Sequence, residues 1–269
     1  MRRDPRQSFA ALPPTSPYRP TMLYTEGISY LLDGDPDQAD PILANAVQHA
    51  LLAGALPLVT LILAEQCIVA VHRDDWLSIQ EYVDQAVSIV HEGHFEDYWT
   101  SALVYAWAAR AALHEGDVAV ARQFSARAAR LRPLLVYSIP VVPVQALLEL
   151  ARVYIGLGDT GGADAALRQV KDILIERPHL GVLAEQAGLL RSSLDQILDD
   201  PVGASSLTAA ELRLLPLLTT HLSLSQIGER LHVARSTVKT QSNSIYRKLR
   251  VSSRSEAVSR ARELGLDLR

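Results

Sequence analysis

Apolar residues recur three and four positions apart along most of the chain, and no long segment alternates apolar and polar positions as a strand would. The apolar residues are mainly Ala, Leu and Val, while aromatic residues make up 6% of the chain. This composition favours helices over a β-sandwich because Ala and Leu have high helix propensity. The sequence therefore predicts an all-α protein.

A short pattern repeats four times within residues 21–200, at intervals of roughly 40 residues. Each unit begins with a turn pair and has small or apolar residues at the same two offsets after it. The pairs are Gly34-Asp35, Asp74-Asp75, Gly116-Asp117 and Gly158-Asp159, followed by Ala39 and Ala46, Ile79 and Ala86, Ala121 and Ala128, and Ala163 and Val170. An Asp after a turn caps the next helix, and small side chains let paired helices approach closely. Each unit is therefore predicted to be a helical hairpin that must stack on its neighbours to bury its apolar face.

The pattern divides the chain into four parts. Residues 1–20 are rich in proline and lack periodicity, so an irregular lead-in is expected there. Residues 21–200 are predicted to form about four hairpins, closed by a helix over 181–198. Residues 201–206 have the composition of a linker, and residues 207–269 form a separate module.

The array contains one irregularity. Pro140 and Pro143 should interrupt helix formation, which predicts an apolar connector over 134–144 and a helix over 144–157. This connector is either a loop packed on the array or the wall of a ligand groove. Residues 105–133, with the turn at Gly116 and small residues beyond it, resemble a tetratricopeptide repeat, so the array is interpreted as tetratricopeptide-like.

The C-terminal module contains two short amphipathic runs. Ile227 and Leu231 share one face of the first run, and Val238, Ile245 and Leu249 share one face of the second. The intervening residues 232–234 are too few for anything but a tight turn. This geometry predicts a helix-turn-helix.

Helix starts in this module are marked by Ser or Thr followed three residues later by Glu or Gln. The pairs are Thr208 and Glu211, Ser223 and Gln226, and Ser253 and Glu256. They predict four helices, the first over 209–219 with a kink at Pro216 and the last over 254–264, ended by Gly265. The predicted core consists of Leu212, Leu215, Leu218, Ile227, Leu231, Val238, Ile245, Leu249, Val251 and Val258.

A polar stripe lies opposite the apolar face of the second run. It consists of Ser236, Lys239, Thr240, Asn243 and Arg247, at steps of three and four. A helix that lies in a major groove needs such a stripe, although a solvated helix face has the same pattern. Residues 205–269 carry 11 Lys and Arg against 5 Asp and Glu, while the remainder carries 15 against 25. A basic module on an acidic carrier indicates binding to a polyanion.

The module resembles a known family. Its residues Leu207-Thr208, Glu211-Leu212, Leu222-Ser223, Ile227, Glu229-Arg230-Leu231, Thr237-Val238-Lys239-Thr240, Ile245-Tyr246-Arg247-Lys248-Leu249, Val251-Ser252-Ser253-Arg254 and Glu256-Ala257 are similar to the LuxR-type helix-turn-helix domain of bacterial transcription regulators. The resemblance implies that the second helix binds the major groove of double-stranded DNA. It implies base contacts at Lys239, Thr240 and Asn243. It implies phosphate contacts at Ser236, Thr237, Arg247, Lys248 and Arg254, and a dimer contact through Ala257, Val258 and Ala261.

Five positions depart from the family pattern. Gly228 stands where the family mostly has Ala, and Gln241 where it mostly has His. Ser242 holds a position that is usually apolar. Ala234 replaces a capping Ser and Arg250 replaces a Gly. We expect these changes to lower the stability of the module without changing its fold.

No group of residues indicates catalysis. The chain has no Gly-x-x-x-x-Gly-Lys-Ser/Thr loop, and its glycine-rich segment 156–162 coincides with a repeat turn. His91 and His94 are interpreted as a chance pair and not a metal site, and no cofactor is expected. Cys67 lies in an apolar run over 56–71 that is interpreted as a buried helix, not a membrane span. No signal peptide is expected, and a cytoplasmic location is predicted.

Helical repeats joined to such a module are similar to the C-terminal half of the large ATP-dependent LuxR-type regulators, the class of the maltose-regulon activator. In that class the repeats bind the inducer, and an ATPase portion that this sequence lacks lies before them. The leading hypothesis is a dimeric DNA-binding transcription regulator whose repeats sense a ligand or protein. The alternative is a protein-interaction scaffold with a non-specific or inactive DNA-binding module. A response regulator is a third interpretation, which the absence of a strand-helix receiver pattern disfavours.

Overall fold

The computed structural model describes residues 16, 18–136, 139–199, 207–220, 222–231, 233–249, 251 and 253–263. Within them the regular elements are helices, and the all-α prediction is confirmed. The described residues up to Asp199 form nine helices: α1 (Arg19–Leu32), α2 (Pro36–Leu52), α3 (Leu56–His72), α4 (Trp76–Glu92), α5 (Ser101–His114), α6 (Val118–Leu131), α7 (Val141–Leu157), α8 (Thr160–Glu176) and α9 (Val182–Asp199). A 3-10 turn, Arg132–Leu134, follows α6. Helices α1 to α8 pack pairwise as four antiparallel hairpins, and α9 packs on the last.

The four turn pairs have the roles that the sequence predicts. Asp35, Asp75, Asp117 and Asp159 each cap a second helix by accepting a hydrogen bond from a backbone N–H of its first turn. The residue before each cap has positive φ, +80° at Gly34 and +55° at Asp74 for example. The small and apolar residues that follow the four caps are 0–1% exposed, so they form the contact between paired helices.

The core of the array runs along α3, α5 and α7. These three helices are buried around most of their circumference and contain the largest buried side chains, among them Trp107 and Tyr105. Polar groups interrupt this core at two points. Glu65 lies with Tyr24 and Gln145, while Glu149 lies between Arg110 and Arg152.

The connector differs from its prediction. Helix α7 begins at Val141, three residues earlier than expected, and Pro143 lies in its first turn. Proline is tolerated there because a backbone N–H in the first turn has no partner within the helix. Pro140 alone therefore marks the helix start. Leu134, Val136 and Ile139 lie on the surface at 50–60% exposure.

Among the described residues from Leu207 onward, four helices form a second unit with its own hydrophobic cluster. They are α10 (Ala209–Leu214), continued by a 3-10 helix (Leu215–Thr219), α11 (Leu224–Leu231), α12 (Arg235–Lys248) and α13 (Arg254–Glu263). The change to 3-10 geometry occurs next to Pro216, where the sequence predicts a kink. Leu212 was a wrong core prediction, since it is 41% exposed and Leu214 is buried in its place. Linker residues 201–206 and the predicted end at Gly265 lie outside the described residues.

No helix in the described ranges combines the length and apolarity needed to cross a membrane. The long apolar helix α3 contains Glu65 and Gln66 among its buried residues. It is the centre of the array core and packs against α2, α4 and α5.

Candidate nucleic-acid interface

Reciprocal hydrogen bonds fix the starts of the helices that build the interface. Thr208 Oγ1 accepts from the Glu211 amide while Glu211 accepts from the Thr208 amide, at 3.3 and 2.6 Å. Ser223 and Gln226 make the same exchange at the start of α11, at 3.3 and 2.9 Å. Each exchange satisfies two backbone donors that a helix start would otherwise leave unpaired. Two of the three predicted capping boxes are thus confirmed, and at the third pair the Glu256 amide donates to Ser253 Oγ at 3.3 Å.

Helix α12 has one buried face. Val238 and Ile245 are 0% exposed, and Ser242 on the same face is 2% exposed. Leu249, just beyond the last turn, is also buried in the cluster. The positions share one side of the helix because they are three, four and seven apart. Packing of this face against α10 and α11 therefore determines which side of α12 points outward.

The opposite face of α12 carries the predicted polar stripe. Ser236, Thr237, Lys239 and Asn243 are exposed. Within the described structure Lys239 and Asn243 have no hydrogen-bond or ion-pair partner, so an ammonium group and an amide are available to a ligand. These are the groups that bind guanine and adenine edges in a major groove.

The same stripe contacts the helical array at two repeat turns. Arg247 Nη1 donates a hydrogen bond of 2.6 Å to the carbonyl oxygen of Gly156, at the end of α7. The Arg247 side chain also fills the position that a Cβ would take at Gly158. At the turn between α5 and α6, a Cβ on Gly116 would lie 2.6 Å from Thr240 Oγ1. Thr240 Oγ1 is buried in this contact and has no hydrogen-bond partner.

Residues 205–261 match a family model described as bacterial regulatory proteins, luxR family. This segment is a LuxR-family helix-turn-helix domain. A search of curated proteins finds no match to the chain. The helices α10 to α13 thus constitute the LuxR-family domain, in which α12 is the second helix of the helix-turn-helix pair and has an exposed outer face.

Two cations assigned to phosphate contacts are engaged inside the LuxR-family domain. Lys248 Nζ pairs with Glu211 Oε2 at 2.6 Å and joins the end of α12 to the start of α10. Burial opposes ionisation of Glu211, but hydrogen bonds from Lys248, Thr208 and Ser244 outweigh it and hold the pKa of Glu211 below its ordinary value. Lys248 therefore links α12 to α10 by an ion pair in this conformation.

Arg254 has an even more enclosed position. Its guanidinium donates to the carbonyl oxygens of Leu217, Leu218, Thr220 and Leu222, at 2.6–3.1 Å. These carbonyls belong to the end of the 3-10 helix and to the segment that leads into α11. Arg254 thus links α13 to the segment before the helix-turn-helix, and in this conformation its guanidinium donates to four carbonyl oxygens.

The residues predicted to form a dimer contact lie on α13. Ala257 and Ala261 are 0% exposed and belong to the hydrophobic cluster of the LuxR-family domain, because small side chains there let α13 pack closely. Val258 is partly buried against the same cluster. Of the three, only Val258 has surface that a second copy could contact.

Two departures from the family pattern have direct structural correlates. An alanine at Gly228 would place its Cβ 2.7 Å from the carbonyl oxygen of Val233, so glycine fits the turn as it is built here. Ser242 lies in the core with its Oγ unpaired. Ala234 precedes α12 without a side-chain cap, and Gln241 is half-buried. Arg250 lies outside the described residues.

Arg235 is a further exposed cation of α12 that was not among the predicted contacts. It is the first residue of α12, is exposed, and makes no ion pair within the described ranges. Its position at the helix start, beside Ser236 and Thr237, places a cation at the same end as two hydroxyl groups. The basic charge of the domain and its place before the stripe could have identified it.

No group of three or more His, Cys, Asp or Glu in the described ranges is arranged to hold a metal ion. His91 Nδ1 lies 3.3 Å from Glu96 Oε1 on the surface. Cys67 is buried, and burial raises the pKa of its thiol well above the ordinary value.

Proposed function

We propose that the protein is a sequence-specific, double-stranded DNA-binding transcription regulator. One observation carries this proposal: the LuxR-family domain presents Lys239 and Asn243 unpaired and exposed on the outer face of α12. With α12 in a major groove, these two residues contact base edges together with Thr240. Ser236, Thr237 and Arg247 contact phosphates, and Arg235 adds a further cation. The protein acts without catalysis, in the cytoplasm.

DNA-binding dimers of helix-turn-helix proteins read two related half-sites, because the symmetry of the protein is imposed on the DNA. We assign the dimer contact to the exposed side of α13, with Val258 at its centre. The helical array senses a small molecule or a protein partner. This division of roles follows the two separate hydrophobic clusters, one in each part.

Selection from a random duplex library by the full chain tests the proposal. The expected result is enrichment of one sequence whose two halves form a near-palindrome. Its affinity should fall steeply with salt, since phosphate contacts release counterions. Binding without any enriched sequence would instead support the scaffold with a non-specific module.

The contacts of Arg247 and Thr240 with the repeat turns bear on when DNA can bind. A duplex seated on α12 would occupy the volume that the turns at Gly116 and Gly158 hold in this conformation. The LuxR-family domain must therefore separate from the array to bind DNA. The conformation described here is a closed form, and an effector on the array favours or disfavours it.

A reversible cross-link tests the closed form. Gly116→Cys and Thr240→Cys bring two thiols together at this contact, while the native Cys67 is buried and apart. Oxidation should trap the closed form and abolish binding to the selected duplex, and reduction should restore it. Thr240→Cys alone, treated identically, controls for the loss of the Thr240 hydroxyl. A cross-linked protein that still binds the duplex would refute the closed form.

A further inference from the structure

The two ends of the helical array meet. Helix α9 packs against α8, α7 and the first helix, α1. Gly181, at φ +53°, lies so close to the carbonyl of Leu32 that no Cβ fits between them. Val182 lies against Gly34 at the first repeat turn. The inner side of the array is therefore closed over by its last helix.

This closure leaves a cavity of about 240 Å³ between α1, α3, α7 and α9. At about 30 Å³ per water molecule, it has room for roughly eight waters, which suits a small organic molecule. One side of the cavity is apolar, lined by Leu31, Ile68, Leu148, Val182 and Leu189. The other carries polar groups from α7 and α9, namely Gln145, Glu149, Glu185 and Gln186.

Gln145 lines the cavity and has an unsatisfied acceptor just behind the cavity surface. The residue is 2% exposed, and its Nε2 donates to Glu65 Oε2 at 2.8 Å. Its Oε1 is buried and has no hydrogen-bond partner in the described structure. A buried acceptor without a partner costs about 1–3 kcal/mol, so a ligand that supplies a donor here recovers that energy.

The charged residues on the cavity wall indicate which kind of hydrogen-bond donor a ligand would carry. Glu149 and Glu185 line the cavity together with His72, and no Lys or Arg does. Glu149 is already bound by Arg110 and Arg152, at 2.5 and 2.7 Å. Glu185, exposed on α9, has no ion-pair partner among the described residues. The wall thus offers one free carboxylate, that of Glu185, beside an apolar surface, and the unpaired amide oxygen of Gln145 lies just behind that wall.

We propose that this cavity binds a small organic amine, with its ammonium group between Glu185 and Gln145 and its hydrocarbon part against the leucines. The amine contacts α9, the last helix before the LuxR-family domain, and so stabilises the closed ends of the array. That this ligand acts as the effector rests on the function proposed above, whereas its binding does not.

Three probes of matched shape test the proposal on the full chain. They are cyclohexylamine, cyclohexanol and cyclohexanecarboxylate, with binding measured by calorimetry and by the shift in melting temperature. The amine should bind at least tenfold more tightly than the alcohol, and the carboxylate should not bind. A carboxylate that binds as well as the amine, or an amine that does not bind, would overturn the proposal.

Two substitutions locate the site. Glu185→Gln, at an exposed position, should weaken the amine about tenfold and leave the alcohol unchanged, because only the charged partner is lost. Gln145→Leu should weaken both amine and alcohol. Glu81→Gln, on the exposed face of α4 away from the cavity, is the matched control. Unchanged amine affinity in Glu185→Gln would place the amine elsewhere.

Binding to the selected duplex is measured on the same samples, which separates the two claims. Specific DNA binding without amine binding refutes the cavity proposal alone. Amine binding without specific DNA binding refutes the regulator proposal alone.

Discussion

At the scale of single residues, buried polar groups are the most informative feature of the chain. Ser242 and Gln145 each keep a buried atom without a partner, and Glu65 is a carboxyl group that is 0% exposed. Such groups lower the free energy of unfolding unless another interaction compensates for their desolvation. Each of them therefore makes a measurable prediction.

Ser242→Ala should stabilise the LuxR-family domain by about 1 kcal/mol, because it removes an unpaired buried hydroxyl and raises helix propensity. Protection of α12 amides from hydrogen exchange measures this effect. The chain's three Trp residues all lie in the array, so tryptophan fluorescence would not report on this domain.

Ser244→Ala is the control on the same helix, since the Ser244 hydroxyl accepts a hydrogen bond from Arg247. It should stabilise α12 less than Ser242→Ala does. Equal hydrogen-exchange protection of the α12 amides in the two variants would contradict the claim that the unpaired Ser242 hydroxyl destabilises the domain.

The buried carboxyl group of Glu65 predicts that the stability of the array depends on pH. Burial raises its pKa from 4.5 to about 8, against the lowering effect of hydrogen bonds from Gln145 and Tyr24. Between these two pH values the unfolded chain loses the proton and the folded chain keeps it. Stability therefore falls as pH rises through this window, by at most about 1.4 kcal/mol per pH unit.

Glu65→Gln should remove this contribution and become more stable relative to the native chain as pH rises. Urea unfolding followed by tryptophan fluorescence at pH 5.5 and pH 7.5 measures the difference. If the free energy of unfolding changed by the same amount between the two pH values in both proteins, Glu65 would not keep its proton in the folded state.

At the scale of elements, helix starts could be predicted from the sequence. The choice between two nearby residues for one core position could not. The capping boxes and the Asp-capped turns depend on residues three apart, so the sequence alone identifies them. The choice between Leu212 and Leu214 depends on the rotation of a six-residue helix that changes to 3-10 geometry, which no local pattern specifies. Pro143 was misjudged because its effect depends on where the helix begins.

Arg254, for which the family resemblance implies a phosphate contact, has four carbonyl partners in the fold that no local sequence pattern indicates. Arg254→Ala should leave buried carbonyls unpaired and destabilise the LuxR-family domain by about 2–3 kcal/mol. Hydrogen exchange in α11 and α13 measures the loss. Arg262→Ala, on an exposed position of α13, is the control. Native-like exchange combined with weaker DNA binding would instead assign Arg254 to a phosphate.

At the scale of the whole molecule, the array and the LuxR-family domain are linked by contacts that sequence reasoning could not predict. Arg247 contacts Gly156 and Gly158, which lie 91 and 89 residues earlier in the chain, and Thr240 contacts Gly116, 124 residues earlier. Both turns also have roles within their own hairpins. Neither contact leaves a periodic signal. The two hydrophobic clusters, by contrast, were predictable because each follows its own helical pattern.

The proposed function depends on the polar stripe of α12, and substitution of Lys239 tests it most directly. The chain has three lysines, and Lys171 on α8 is exposed like Lys239. Binding of Lys239→Ala and Lys171→Ala to the selected duplex and to single-base variants of it should be compared at one salt concentration. Lys239→Ala should lose about 1–3 kcal/mol of binding free energy and its preference at one base pair of each half-site, while Lys171→Ala binds as the native chain does. Native affinity and native base preference in Lys239→Ala would contradict the claim that α12 reads DNA.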